Sequence, residues 1–262
     1  SDAVEKLCNN ANNIPILIIN RKLNDYEKSL CASRSGSDLT EIKIGYYAYA
    51  IISNKDNEDI YLSKKLLYKA LAAKFSTIEG FEENKFLEWY DINKVLPKKK
   101  IQIYFRFKDT PGYDYLINRV ILNSCLNDQY TVEKFTDRNA LIQHCKEIRS
   151  DGAYIGDTND ANLIVQKVLS EKNVYGIVRY YIYQEQKQNV SLHSYNGVLP
   201  TIENIYSEKY DLSFPIYIYI KKNKINENKL IRDFIDEISK PSVSGKSGYL
   251  RDRGLIPLDL LK

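Results

Sequence analysis

With 262 residues the chain suits one large domain or two small ones, with ample core either way. Its 44% hydrophobic and 27% charged content are ordinary for a globular protein, and its 38 basic residues are interleaved with 34 acidic ones. A net charge of +4 so distributed does not indicate a nucleic-acid footprint, and no apolar run approaches the length of a membrane span. The one basic run, Lys98-Lys99-Lys100, follows Pro97 and reads as a solvated turn. The chain starts at Ser1 and contains no methionine, so a processed or trimmed product without a signal peptide is expected.

In chain order, residues 1–13 read as a helix with Val4, Leu7, Cys8 and Ala11 on one face. Ile14–Ile19 is a continuous apolar run, the pattern of a strand buried on both faces of a parallel sheet, and it ends at Asn20-Arg21. Asp25–Ala32 is a short helix capped by Asn24 or Asp25, and Leu39–Ser53 is a long strand. Helices are expected over Ser63–Ser76 and over Lys85–Leu96, the second holding the only tryptophan, Trp89, as a core residue. Tyr130–Phe135 is strand-like, Asp137–Arg149 helical, Gly152–Ile155 a short strand, and Ala161–Ser170 a helix behind Asp157–Asp160. Strand Val174–Tyr183, a short helix opening at Pro200-Thr201, the alternating strand Ser213–Lys221 and helix Glu227–Ile238 complete an α/β pattern. Most of the 22 tyrosines fall in strands and suit half-buried sheet surfaces.

The stretch Ile101–Asn118 carries the first functional signal. Ile101, Ile103 and Phe105 alternate with Gln102, Tyr104 and Arg106, then Asp109–Gly112 breaks the strand and a helical pattern starts near Tyr113. Thr110 followed by Pro111 fits an N-cap with proline at the first helical position. A helix opening at a strand's carboxyl end, with Arg106 just upstream, is the elementary anion site of an open α/β sheet. The four cysteines lack C-x-x-C spacing, and with only His144 and His193 available no zinc site is expected. They allow three pairings, or none as buried free thiols; local pairing would close two short loops worth about 3 kcal/mol each. His144 reads as helix-face packing and His193 as part of a polar loop, neither beside a nucleophile at a strand end, so no enzyme is expected.

The carboxy-terminal half makes the pattern recognisable. Asn196-Gly197-Val198, Pro200-Thr201, Glu203-Asn204-Ile205, Tyr210, Leu212-Ser213, Pro215, Tyr217 and Tyr219 form an ordered signature. It resembles the corresponding segment of the phosphate-binding proteins that serve ABC transporters. Gly248-Tyr249-Leu250 and Gly254–Leu258, Asp151–Tyr154, Asn162–Lys167, Gly176-Ile177, Leu96-Pro97 and Ile42–Ile52 extend the resemblance over essentially the whole chain.

What the resemblance implies is a two-lobed periplasmic binding protein of type II topology, two mixed or parallel sheets joined by hinge strands. One lobe would comprise 1–53 and 178–262 and the other 54–177, with the ligand in the cleft between them. The partners implied are inorganic phosphate and the permease subunits of the transporter, the protein itself a monomer in the periplasm with neither cofactor nor metal. Cysteines at the places of Cys8, Cys31, Cys125 and Cys145 occur in the nearest bacterial subgroup, which implies the bridges Cys8–Cys31 and Cys125–Cys145.

Carried over residue by residue, the family's Ser-Gly-Thr at the second-lobe helix start becomes Thr110-Pro111-Gly112. Thr110 keeps a hydroxyl, Pro111 deletes an N–H donor and Gly112 loses a hydroxyl. Arg106 matches an arginine four residues before that serine, and a guanidinium suits phosphate. Other members place the arginine after the threonine, where this chain has Tyr113. In the first lobe the family's Ser/Thr/Gly-rich loop matches Ser1-Asp2-Ala3, its Ser-Arg matches Asn20-Arg21, and the aspartate that takes the phosphate proton falls on Pro15 or Ile16. The resemblance implies that the family's first strand and loop are expected to be missing from this chain. Phosphate sites are thus expected at Arg106, Thr110, Gly112, Tyr113, Asn20, Arg21, Ser1 and Asp2. The alternative is the same fold binding another anion, or serving as a surface or scaffold protein with a degraded site.

Overall fold

The computed structural model describes residues 2–9, 14–36, 38–108 and 110–260. Among them are ten strands: β1 Ile16–Ile19, β2 Leu39–Asn54, β3 Lys74–Ser76, β4 Phe81–Glu83, β5 Ile103–Tyr104, β6 Tyr154–Ile155, β7 Tyr175–Arg179, β8 Val190–His193, β9 Ser213–Lys221 and β10 Ile256–Pro257. The chain divides into two compact units, Ser1–Ala48 with Ile205–Glu208 and Ser213–Lys262, and Tyr49–Asn204 with Lys209–Leu212. Changes of unit were expected near Ser53 and Val178; in this division they fall at Ala48/Tyr49 and from Asn204 to Ser213.

In the first unit β9 is the central strand, antiparallel to β1 on one side and to the amino half of β2 on the other. Its alternation sorts two cores, because successive strand side chains face opposite ways. Ile218 and Ile220 pack with Ile231 of the helix Lys229–Ile238, whereas Tyr217 and Tyr219 pack with Val4, Leu7, Cys8, Leu23 and Cys31. The disulfide Cys8–Cys31 sits in the second of these cores and ties the helix Asp2–Cys8 to the helix Asp25–Ser35. β1 corrects an expectation: it is an antiparallel edge strand with Ile18 58% exposed, not a doubly buried parallel one. A short apolar run carries no mark of its neighbours' direction. At Gly45 (φ 155°) the β2 register shifts, and a Cβ there would lie 2.5 Å from the Ile256 carbonyl oxygen of β10.

The second unit has a mixed sheet. The carboxyl half of β2 pairs antiparallel with β7 and β8, while β5 lies parallel to both β7 and β6. Ile101, Ile103 and Phe105 are buried beneath it, and Trp89, 1% exposed, meets Tyr175 edge-on at 5.6 Å. The disulfide Cys125–Cys145 packs against Leu141.

Four further elements differ from what the sequence led one to expect. The helix expected over Ser63–Ser76 ends at Leu71, because the Asn84 amide donates to the Lys69 and Ala72 carbonyls, both at 2.8 Å, and Lys74–Ser76 leaves as one arm of the β3–β4 hairpin. Lys85–Leu96 contains a single helical turn, Trp89–Ile92, held by Asp91 accepting from the Leu87 and Glu88 N–H groups. Tyr130–Phe135 is not a strand: Gln129–Glu133 is helical, with the Thr131 hydroxyl bonded to Asp128 at 2.7 Å and to Ser76 at 2.5 Å. β7 stops at Arg179 and Tyr180–Gln186 is a helix.

Candidate functional site

The second unit builds its candidate site where β5 ends. Burial of Ile103 and Phe105 fixes the strand, and Phe105 continues the ladder by donating its N–H to Ile155 at 3.0 Å. Arg106 follows, half-buried, its carbonyl accepting from the Tyr154 hydroxyl. Thr110 is the N-cap of the helix Pro111–Leu116, which runs on as a π-helical turn over Ile117–Leu122 and closes as Asn123–Leu126. The Thr110 hydroxyl is engaged in both directions, accepting from the Tyr113 N–H at 3.3 Å and donating to the Phe107 carbonyl at 3.0 Å. Pro111 stands at the first helical position and offers no N–H. Tyr113 is buried edge-on against Tyr154, ring centroids 5.7 Å apart.

Gly112 has a partner that the sequence reading missed. A Cβ there would lie 2.6 Å from the Tyr49 phenol oxygen and 3.2 Å from Arg106 Cδ, so only glycine lets the phenol rest on this turn. Tyr49 stands opposite Arg179 in the β2–β7 register, and the Arg179 guanidinium donates to its phenol. Burial pushes the Tyr49 hydroxyl up from its ordinary range, opposed by the charges of Arg179 and Arg106. The phenol therefore keeps its proton at neutral pH. Neither residue carried a local signal: Tyr49 is one of 22 tyrosines, and Arg179 is far from Arg106 in sequence.

Around this cluster the recognised signature works as scaffold. The Asn196 amide oxygen accepts from the Lys64 N–H at 2.9 Å, at the start of the helix Lys64–Leu71, and its NH2 donates to Asp211 at 3.1 Å. Asp211 also holds Arg119 at 3.1 Å, and its carbonyl accepts from the Tyr115 hydroxyl at 3.3 Å. A cavity of about 690 Å³ in this unit, lined by Lys64, Tyr68, Lys69, Phe75, Phe86 and Asp128 among others, includes none of Arg106, Gly112 or Tyr49.

In the first unit, Asn20 is exposed just past β1. The Arg21 guanidinium is bidentate on Glu27, at 2.7 and 2.6 Å. Glu27 in turn closes a capping box with Asn24, accepting the Asn24 N–H at 3.0 Å while Asn24 accepts the Glu27 N–H at 2.8 Å. The guanidinium bond, with the capping bond behind it, pulls the Glu27 carboxyl down to about 2 against the opposing effect of its burial. Asp2 opens the helix Asp2–Cys8; Ser1 and the Asp2 side chain lie outside the described residues.

His193 corrects the reading of a polar loop. It ends β8, its Nε2 lies 2.7 Å from the Ser53 hydroxyl, and its Nδ1 lies 2.9 Å from Asp59. Serine, histidine and aspartate are thus in a row, but Ser53 is fully buried and also hydrogen-bonded to the Asn54 carbonyl at 3.0 Å. Burial lowers the His193 pKa, with Asp59 opposing. His144 packs against Phe81 at 4.4 Å and Phe135 at 5.2 Å. Among the described residues no group of His, Cys, Asp and Glu is arranged to hold a metal ion.

A wholly antiparallel sheet in the first unit, where a mixed or parallel one was expected, and a mixed sheet in the second, both flanked by helices and the second carrying a charged turn at a strand end, define a substrate-binding-protein fold. A family model described as a PBP superfamily domain matches residues 1–241, and the chain belongs to that superfamily. It is similar to the phosphate-binding protein PstS of Staphylococcus saprophyticus, 26% identical over 244 residues, which are 91% of this chain and 63% of that protein. It is also similar to PstS of Staphylococcus aureus strain USA300, 24% identical over 244 residues, 92% of this chain and 64% of that protein. The chain thus spans less than two thirds of the length of these curated relatives. Among solved structures it resembles a possible phosphate binding protein from Planctomyces limnophilus (TM-score 0.68, 21% identity, 97% of this chain and 79% of that one). It also resembles an ABC-type phosphate transport receptor from Vibrio cholerae (TM-score 0.59, 17% identity, 97% and 83%). These likenesses show the fold, and the sequence relatives are binding proteins.

Proposed function

We propose that the chain is the substrate-binding component of a phosphate ABC transporter, capturing inorganic phosphate without covalent chemistry and handing it to the permease. The observation that carries this reading is Arg106 at the β5 end: among the described residues its guanidinium has no ion-pair partner, and it sits beside the Gly112 turn. A half-buried cation left without a carboxylate favours an anionic ligand, and a guanidinium matches the oxygens of phosphate. The names of the sequence relatives make phosphate the anion to test first. Thr110, Gly112 and Tyr113 remain site residues in this reading through the turn they form. Arg21, bidentate on Glu27, is read as a structural strap, and Asn20, Ser1 and Asp2 are the first unit's candidate contacts.

Work outside the cytoplasm agrees with two disulfides, which persist in oxidising compartments. No described helix is long and apolar enough to cross a membrane. The Ser53–His193–Asp59 row is read as a buried tie between β2 and β8 rather than a catalytic triad, since no substrate reaches a hydroxyl that is 0% exposed. Isothermal titration of the full chain with phosphate, sulfate and methylphosphonate tests the proposal. Heat with phosphate is expected; no heat with any of the three would remove it.

A further inference from the structure

We infer that the Tyr49 phenol is itself an anion ligand, a hydrogen-bond donor set over Gly112 and oriented by Arg179; this rests on the phosphate-binding reading of the same site. Three independent features of the second unit converge on that oxygen. The first is space. Position 112 has no side chain, and the phenol oxygen occupies the room a Cβ would need, at 2.6 Å, with Arg106 Cδ 3.2 Å from the same point. The phenol and the guanidinium-bearing chain of Arg106 therefore share one turn of backbone.

The second feature is orientation. Tyr49 is 4% exposed, stacked on Tyr115 at 5.8 Å and edge-on to Phe105 at 5.5 Å, so its ring cannot swing away. Its backbone is held by Leu212, which accepts its N–H at 2.9 Å, and by Tyr210, whose hydroxyl donates to its carbonyl at 2.8 Å. The third is polarity. An oxygen that accepts from the Arg179 guanidinium has its own hydrogen left to donate. Among the described residues no side chain or carbonyl accepts that hydrogen. An O–H beside two guanidinium charges disfavours any cationic or donor-rich group. The ligand that satisfies it is an oxyanion with an unprotonated oxygen.

Arg179 is on this account a positioning residue: it fixes the phenol oxygen as acceptor on one side, so that the hydrogen points to the anion on the other. The cross-strand pairing of Tyr49 with Arg179 places both on one face of the sheet, which makes the arrangement a property of the strand register.

The test is titration calorimetry with inorganic phosphate on the full chain and on Tyr49→Phe, Arg179→Gln and Gly112→Ala, with thermal unfolding of each. Tyr49→Phe keeps the ring and its packing and is expected to weaken phosphate by about 10-fold at an unchanged melting temperature. Arg179→Gln is expected to weaken it by about 3-fold through the freed phenol. Gly112→Ala drives a methyl against the phenol and should weaken binding about 10-fold in the parent chain, yet cost no further affinity in the Tyr49→Phe background. That coupling is a readout that mere loss of packing does not give. If the parent binds phosphate and Tyr49→Phe matches it within twofold, the inference is overturned while the function stands. Should Tyr49→Phe unfold, parental affinity in Arg179→Gln overturns it instead. If the parent gives no heat with phosphate, the functional reading falls and this one with it.

Discussion

Each unit ends a strand next to an arginine, and the two arginines are treated in opposite ways. In the first unit Arg21 follows β1 and is neutralised at once by Glu27, a residue already fixed by the capping box of the next helix. In the second unit Arg106 follows β5, and the acidic residue of the helix that follows, Asp114, is exposed and makes no ion pair with it. Arg106 instead shares the Tyr49 phenol with a second guanidinium, Arg179, both charges acting on that oxygen. The difference teaches how to tell a structural arginine from a candidate binding one when the local pattern is the same. The charge that folding leaves uncompensated is the one available to a ligand.

The largest effect expected is the loss of either disulfide, one per unit. Replacing Cys8 and Cys31, or Cys125 and Cys145, by serine should each lower stability by about 3 kcal/mol, read by denaturant unfolding. A single transition shifted by either loss would say that the two units unfold together; two separate transitions would say that they unfold apart.

Next comes the contrast between the arginines. Arg106→Gln should weaken phosphate about 100-fold, the cost of removing one partner from a desolvated charge pair. Arg21→Gln should leave affinity within about twofold while lowering stability by about 1 kcal/mol. A large affinity loss in Arg21→Gln would break the comparison and return Arg21 to the binding site. A smaller effect is expected at Ser53→Ala, which removes a buried hydrogen bond to His193 and should cost about 1 kcal/mol of stability with affinity intact. The parent chain should show no turnover of a chromogenic phosphoester, and turnover that Ser53→Ala abolishes would make the row catalytic after all.

What the sequence made legible is local. Thr110-Pro111 marked the helix start because an N-cap and a proline act on their immediate neighbours, and Ser213–Lys221 marked a strand because its alternation is carried by its own residues. The early end of the helix at Leu71 was not legible, since it depends on the Asn84 amide reaching back to two carbonyls. Gln129–Glu133 was misread for the same reason: β-branched Thr131 and Val132 look like strand formers, but Asp128 and Ser76 hold the Thr131 hydroxyl in a helical turn. At the candidate site, the proximity of Arg106, Thr110 and Gly112 was legible because they lie close together in sequence at one strand-to-helix turn. Tyr49 and Arg179 were missed because only the β2–β7 register brings them together, as only β2–β8 pairing brings Ser53 to His193.

The last test addresses the structural half of the comparison through pH. The Glu27 carboxyl is held at about 2 in the fold by Arg21 and the Asn24 cap, against an ordinary carboxylate value near 4.3 in the unfolded chain. The unfolded state therefore binds the proton first as pH falls. The stabilisation from Glu27 is fully present above about pH 4.5 and drains away as pH drops through about 2. Between these limits the group adds up to about 1.4 kcal/mol per pH unit to the slope of stability on pH. Glu27→Gln removes that slope, so the stability gap between parent and variant should be widest at pH 6 and narrow towards pH 3. Urea unfolding at a series of pH values reads it directly. A gap that stays constant with pH would mean that the Arg21–Glu27 pair carries no differential charge energy, and the first unit's arginine would no longer count as neutralised by folding.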